Sequence, residues 1–192
     1  LDEISMNITR RIKNRVKEHL EIYLDHTDFW WMGYHKGSRP NNWNPWIVSN
    51  ILTLTSLAVT DTPLRTQIVE RACLYLNNFF KFTFDDGACI EGMGYYFASN
   101  AVIFDIYQEI FDLTDGKCNK LDDDYLARLL EYAVNMYAGN GGFFSVNDSP
   151  TSLKSSKPNI YLQRMATTTK NPRLLALNNL IIENGSDETD YF

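Results

Sequence analysis

The sequence predicts an all-α fold, and three observations lead to this prediction. Apolar residues recur every three to four positions along seven stretches of the chain, which is the spacing of helices buried on one side. Asp, Gly and Pro stand between these stretches, where helices begin and end. No stretch shows the alternation of apolar and polar residues that is typical of a strand. The 192 residues can bury one substantial core, so we expect a single domain over residues 1–192.

The first three helices are predicted in the N-terminal part of the chain. Residues 4–25 form the first helix, and its inward stripe is Ile12, Val16, Leu20 and Tyr23. The second helix starts at about Pro45, because proline fits the first turn of a helix. The third starts after Asp61, because an aspartate there accepts hydrogen bonds from the free N–H groups of a first turn.

A glycine-rich loop and four further helices follow. The loop covers residues 85–96 and contains three glycines. Glycine allows backbone angles and close approaches that other residues resist, so such a loop can hold side chains against a ligand. The helices are predicted over residues 97–113, 122–137, 160–168 and 172–183, with a polar loop over residues 143–158. Antiparallel pairing of consecutive helices fits a toroid of hairpins, a bundle or a solenoid equally well.

Charge and cysteine content limit the classes of partner. The net charge is −6, so no general basic field attracts nucleic acid or an anionic membrane, and we expect neither as a partner. A polyanionic ligand needs a local basic patch, and His35, Lys36 and Arg39 are the best candidates for one. The three cysteines lack C-x-x-C spacing, which predicts neither a metal centre nor a disulfide framework. We therefore expect no metal and no cofactor.

Two asparagines and two tyrosines indicate a specific chemistry. Asn41 and Asn42 carry neutral amides, which can donate hydrogen bonds to a carboxylate without neutralising a nearby base. Tyr95 and Tyr96 carry phenols, which act as general base or acid where cations or hydrogen bonds lower their pKa. Together these groups suit the removal of a proton alpha to a carboxylate. The alternative is that the asparagines form turns and the tyrosines pack under the loop.

Three motifs resemble those of a known enzyme family. The first is Asn-Asn-Trp-Asn-Pro at residues 41–45. The second is Asp-Gly at residues 86–87, followed by Glu-Gly-Met-Gly-Tyr-Tyr at residues 91–96. The third is Phe-Phe-Ser-Val-Asn-Asp-Ser at residues 143–149. In order and spacing they resemble the motifs of the heparinase II/III-like polysaccharide lyases, which belong with the chondroitin AC/alginate lyase superfamily.

This resemblance implies a fold and a reaction. The fold is an incomplete α/α toroid of antiparallel helical hairpins, with a substrate groove across one end. The reaction is β-elimination on a uronic-acid-containing polysaccharide. Asn42 would hold and neutralise the uronate carboxylate, and Tyr95 would transfer protons to or from the sugar. The partner would be an anionic polysaccharide.

Other residues are expected to contact the substrate. By the same resemblance, Asn41 and Trp43 would shape the carboxylate pocket, and Tyr96 is the alternative to Tyr95. Charge, rather than a motif, is the reason to expect contacts from His35 and Arg39. The full set of expected substrate contacts is Asn41, Trp43, His35, Arg39, Glu91 and Tyr96.

The chain departs from the family pattern in two ways. Several relatives have His at the position of Trp43. The family also supplies a catalytic His from further along, near or within a β-sandwich domain, whereas the three histidines here all precede residue 41. We therefore expect the chain to be part of a longer lyase, with the C-terminal β-sandwich domain missing, and expect that it could lack activity alone. The expected location is secreted or periplasmic.

Three other functions fit the sequence. A glycoside hydrolase on a helical toroid would need two carboxyl groups about 6.5–9.5 Å apart. Glu91 would supply one, and the candidates for the other are Asp85, Asp86 and Asp148. A non-catalytic carbohydrate-binding domain would bind sugars through its tryptophans, which are Trp30, Trp31, Trp43 and Trp46. A helical scaffold for protein partners is the last alternative.

Overall fold

The prediction of an all-α fold is confirmed. The structure, a computed structural model, describes residues 2–34, 39–140, 142–149 and 157–184. Most of these residues are helical. The helices are α1 (Asp2–Asp25), α2 (Trp43–Ala58), α3 (Thr62–Phe80), α4 (Met93–Ala98), α5 (Val102–Leu113), α6 (Asp124–Asn135), α7 (Lys157–Thr169) and α8 (Pro172–Asn184). A short 3₁₀-helix covers Trp30–Met32, and two short strands are β1 (Tyr137–Gly139) and β2 (Gly142–Phe143).

The chain separates into two compact units. Unit 1 comprises residues 1–82 and 109–118, and unit 2 comprises residues 83–108 and 119–192. Helix α5 belongs to unit 2 up to Gln108 and to unit 1 from Glu109. The expectation of one domain, and that of a toroid of hairpins, both stay predictions.

Unit 1 is built on the hairpin of α2 and α3. The two helices pack against each other, and α1 packs on both. As predicted, Asp61 begins α3, because its carboxylate accepts a hydrogen bond from the N–H of Leu64 at 2.8 Å. From α1, Leu20 and Tyr23 are buried. Burial of these apolar faces holds the helices together more than helix propensity does.

A buried asparagine fixes the segment that precedes α2. The side chain of Asn44 is fully buried, and its Nδ2 donates to the carbonyls of Trp31 at 2.8 Å and of Tyr75 at 3.2 Å. The 3₁₀-helix is thereby connected to both helices of the hairpin. This arrangement sets where α2 begins, at Trp43 rather than at Pro45 as the sequence predicted.

Unit 2 is organised around α8, against which α6 and α7 pack. An ion pair at 3.0 Å joins Arg173 of α8 to Glu131 of α6. A second ion pair, at 2.7 Å, joins Arg164 of α7 to Asp105 of α5. Both pairs connect elements that are distant in sequence, and they fix how the helices of this unit pack.

The structure differs from the prediction at two places in unit 2. The helix predicted over residues 97–113 begins later, as α5 at Val102, whereas α4 includes residues 93–96, which the sequence predicts as part of the glycine-rich loop. Helix α4 ends before Ser99, which leaves the helical region at φ −133° and ψ −67°. The sequence shows no alternation typical of a strand, and the structure adds two short strands, β1 and β2, which pair antiparallel. Gly139, the last residue of β1, and Asn140, which follows it, both have positive φ, and the chain turns back on itself there. Among the helices of the described residues, none has the length and apolar composition needed to cross a bilayer.

Candidate functional site

The first predicted motif lies where α2 begins, in unit 1. Asn42 directly precedes the helix and is 7% exposed, and its carbonyl accepts from the N–H of Trp46 at 3.4 Å. The side-chain oxygen of Asn41 accepts from the N–H of Trp43 at 3.1 Å. Asn41 therefore stabilises the turn into α2, as the structural alternative for this residue predicted. Asn42 has no such cap hydrogen bond from its side chain.

Three exposed tryptophans surround this helix start. Trp30, Trp43 and Trp46 are each 47–49% exposed. The ring centroids of Trp30 and Trp43 lie 6.0 Å apart, and those of Trp43 and Trp46 lie 5.7 Å apart. We call these three residues the tryptophan surface. The fourth tryptophan, Trp31, is buried and packs edge-on against Tyr75, so it belongs to the core of unit 1.

The predicted basic contacts are only partly described. Arg39 donates a hydrogen bond to the carbonyl of Phe82, and its guanidinium lies 5.9 Å from the centroid of the Phe82 ring. Arg39 is exposed, but these contacts give it a structural role at the end of α3. His35 and Lys36 lie outside the described residues.

The second and third motifs contact each other in unit 2. We call residues 89–95 and 144–149 the loop pair. Gly92 has φ +87°, and a side chain there would meet the carbonyl oxygen of Val146 at 2.4 Å and the Cβ of Ser149 at 2.5 Å. The N–H of Gly94 donates to Ser149 Oγ at 3.1 Å. The side chain of Asn147 donates to the carbonyl of Ile90. Two stretches about fifty residues apart thus form one surface.

The adjacent tyrosines of the second motif lie in opposite environments. Tyr95 is 37% exposed, and its carbonyl accepts from Ser99 Oγ at 2.8 Å. Tyr96 is fully buried, and its hydroxyl donates to the carbonyl of Leu129 at 2.9 Å. Burial raises the pKa of Tyr96 far above its ordinary value, with smaller contributions from Cys89 and Tyr132. The geometry therefore does not support Tyr96 as a substrate contact, and Tyr95 is the phenol that a ligand can reach.

The loop pair also holds two carboxyl groups, those of Glu91 and Asp148. Burial raises the pKa of Glu91, and the nearby charge of Asp148 raises it further. Of the other predicted carboxylates, Asp86 has a structural role, because its side chain accepts from the N–H of Ala88 at 3.0 Å. Glu91 and Asp148 are the acidic pair that the structure places together.

The predicted site residues are divided between the two units. Asn41, Asn42, Trp43 and Arg39 belong to unit 1, whereas Glu91, Tyr95 and Tyr96 belong to unit 2. Sequence reasoning did not predict the role of Ser149, which holds the N–H of Gly94. The spacing of three between Trp43 and Trp46 was a readable sign that they share one helix face.

A groove of unit 1 is formed by residues other than the predicted site residues. It has a volume of about 800 Å³ and is lined by Leu24, Asp25, Thr27, Tyr34, Gln67, Glu70, Arg71 and Leu74. A smaller groove of about 410 Å³ lies between α1 and the connection from α2 to α3. None of the described predicted site residues lines either groove. Within the described residues, no three His, Cys, Asp or Glu side chains are grouped so that they could hold a metal ion.

Comparison with known proteins does not assign the chain to a family. No family model and no curated protein matches its sequence. Function is therefore inferred from the three motifs and from the geometry of each unit.

Proposed function

We propose that this chain is a lyase domain that cleaves a uronic-acid-containing polysaccharide by β-elimination. The observation that carries the proposal is the loop pair. Two motifs that resemble those of polysaccharide lyases pack against each other there, and the tyrosine expected to transfer the proton is the exposed one. An exposed tyrosine beside two interlocked loops can meet a ligand, and a phenol can serve as a general base or acid.

Two residues carry the proposed chemistry. Asn42 donates its amide hydrogen bonds to the uronate carboxylate, which makes the proton on C5 more acidic without adding a cation beside the base. The Tyr95 phenolate removes that proton, and the electron pair forms the double bond between C4 and C5 as the C4–O4 bond breaks. The resulting phenol returns the proton to O4 of the leaving sugar. One proton thus moves from C5 to O4, and the step as proposed uses neither a metal nor another cofactor.

The test is the ultraviolet absorbance of the new double bond. This chain and a longer parent protein should be incubated with alginate, heparan, hyaluronan and pectate-type polymers. We expect signal from the parent, and a loss of at least about 100-fold in Asn42→Ala and in Tyr95→Phe. Tyr34→Phe is the matched control, because Tyr34 is 40% exposed and Tyr95 is 37% exposed. Reducing ends released without absorbance would reject the lyase and favour a hydrolase that uses Glu91.

Non-catalytic carbohydrate binding is the second candidate, and the tryptophan surface favours it. Tryptophan is usually largely buried, so three exposed and adjacent indoles indicate a ligand-binding or interaction surface. Their flat apolar faces match the flat apolar faces of pyranose rings. Affinity for the polymers that survives in the double variant Asn42→Ala/Tyr95→Phe, and is lost in Trp43→Ala/Trp46→Ala, would support binding without catalysis.

A further inference from the structure

The loop pair presents two carboxyl groups, and it brings the stretch that contains Asp148 to the residue before Tyr95, because the N–H of Gly94 donates to Ser149 Oγ at 3.1 Å. Glu91 lies four residues before Tyr95 and is partly buried, and Asp148 lies on the facing loop and is exposed. The contacts of Gly92 with Val146 and Ser149 hold the two loops together. The charge of Asp148 is close enough to raise the pKa of Glu91, which burial raises more. Their positions are thus fixed by backbone contacts rather than by flexible side chains alone.

Three described arginines of unit 2 make contacts away from Glu91 and Asp148. Arg128 donates to the carbonyl of Asp85 at 2.7 Å and lies over the Tyr125 ring. Arg164 and Arg173 form the ion pairs with Asp105 and Glu131. Among the described residues, no ion pair involves Glu91 or Asp148. The negative charge of the loop pair is therefore not compensated by an ion pair within this part of the chain.

A substrate with many negative groups would be repelled here. Sulfated polysaccharides need dense Arg and Lys contacts, because each sulfate must exchange water for charge-assisted hydrogen bonds. A sulfate placed near two carboxylates meets repulsion instead, and this repulsion is strongest where water is partly excluded.

We propose that Glu91 and Asp148 are specificity-determining residues that exclude sulfated sugars from the position beside Tyr95. The substrate class is then a uronic-acid polysaccharide without sulfate next to the cleaved bond. This inference rests on the proposed lyase function and narrows its substrate. The two carboxylates select the substrate, and Tyr95 transfers the proton.

The experiment compares one polymer backbone with and without sulfate, such as unsulfated chondroitin against chondroitin sulfate. The kcat/KM ratio of sulfated to unsulfated polymer is measured in the longer parent protein. The wild type should prefer the unsulfated polymer, and Asp148→Asn and Glu91→Gln should each raise the ratio about fivefold. Asp148→Lys should raise it further, because it adds attraction to the loss of repulsion. Glu183→Gln, which makes the same charge change at an exposed position of α8, should leave the ratio unchanged.

Affinity measurements with the same two polymers separate failure of this inference from failure of the lyase proposal. If no polymer yields a double bond, the lyase proposal fails, and the ratio of the two dissociation constants in wild type and variants still tests the exclusion of sulfate. A wild type that prefers the sulfated polymer would overturn the inference. A ratio that stays the same in Asp148→Asn, Asp148→Lys and Glu91→Gln would also overturn it, provided that thermal melting shows the variants to be folded.

Discussion

Tyr95 and Tyr96 show how neighbouring residues of the same type acquire different roles. Replacing Tyr96 by Phe removes a buried hydroxyl that donates to the carbonyl of Leu129. We expect a loss of about 1 kcal/mol in the free energy of unfolding, the usual net value of a buried hydrogen bond. Tyr95→Phe should change that free energy by less than about 0.5 kcal/mol, because the side chain is at the surface. Urea denaturation of both variants measures the difference.

A larger loss of stability in Tyr95→Phe than in Tyr96→Phe would contradict the environments described for the two tyrosines. Lyase activity provides the second comparison. Tyr95→Phe should lose activity while it keeps its stability, and Tyr96→Phe should keep activity wherever it remains folded. A structural role alone would not separate the two variants in this way.

The ionisation of Glu91 tests the contact between the two loops at the level of single residues. Burial is the larger cause of its raised pKa, and Asp148 is the smaller cause. In Asp148→Asn, we expect the pKa of Glu91 to fall but to stay above that of an ordinary glutamate, because burial remains. Carbon-13 NMR titration of the Glu91 carboxyl measures this. An unchanged pKa in Asp148→Asn would mean that the two carboxyl groups do not interact.

At the scale of elements, Gly92 controls how the loop pair fits together. Its φ of +87° and ψ of −176° lie in a region that only glycine occupies readily, and a Cβ would meet the Val146 carbonyl oxygen at 2.4 Å. We expect Gly92→Ala to destabilise the protein by about 3 kcal/mol or more, from strain and from the collision together. Thermal or urea unfolding measures the loss.

Gly139 is the matched control for this substitution. It also has a positive φ, of +93°, but no atom lies within 4 Å of the position that a Cβ would occupy. Gly139→Ala should therefore cost only the backbone strain, about 1–2 kcal/mol. Equal losses in the two variants would show that the contact between the loops does not contribute to stability.

The regular helices were predictable because their signals are local. Asp61 and the apolar spacing that follows it predict α3, and the structure has α3 where they place it. The break between α4 and α5 was not predictable in this way. The backbone leaves the helical region at Ser99, and α4 is held at its start by the contact between Gly94 and Ser149, which are 55 residues apart. The spacing of apolar residues contains no information on such a contact.

The candidate site was also predictable only in part. Residue types and order selected the two motif loops that pack together in unit 2, because glycine-rich loops have a distinctive composition. The difference between Tyr95 and Tyr96 could not be read from the sequence. It depends on which side of a six-residue helix meets α6, and a helix of that length is too short to show a reliable pattern.

At the scale of the whole molecule, tyrosines with a raised pKa are a common feature of both units, and they range from the exposed Tyr34 to the fully buried Tyr96. Burial is the largest cause of a raised pKa for seven tyrosines, which are Tyr23, Tyr34, Tyr75, Tyr96, Tyr125, Tyr132 and Tyr161. Tyr23 and Tyr75 pack edge-on in unit 1, and Tyr96 and Tyr132 lie in contact in unit 2. The stability of each unit is therefore linked to the protonation of its tyrosines.

This linkage predicts a loss of stability at alkaline pH. Below the unfolded-state pKa of about 10, both states keep the phenols protonated, so these groups cause no change with pH. Above it, the unfolded state releases protons that the folded state retains, so the free energy of unfolding falls as pH rises. Each fully buried phenol contributes a slope of up to about 1.4 kcal/mol per pH unit. Melting temperatures between pH 8 and 11 should fall steeply above pH 10, and less steeply in Tyr96→Phe. A melting temperature that is constant over this range would mean that the phenols ionise equally in the folded and unfolded states.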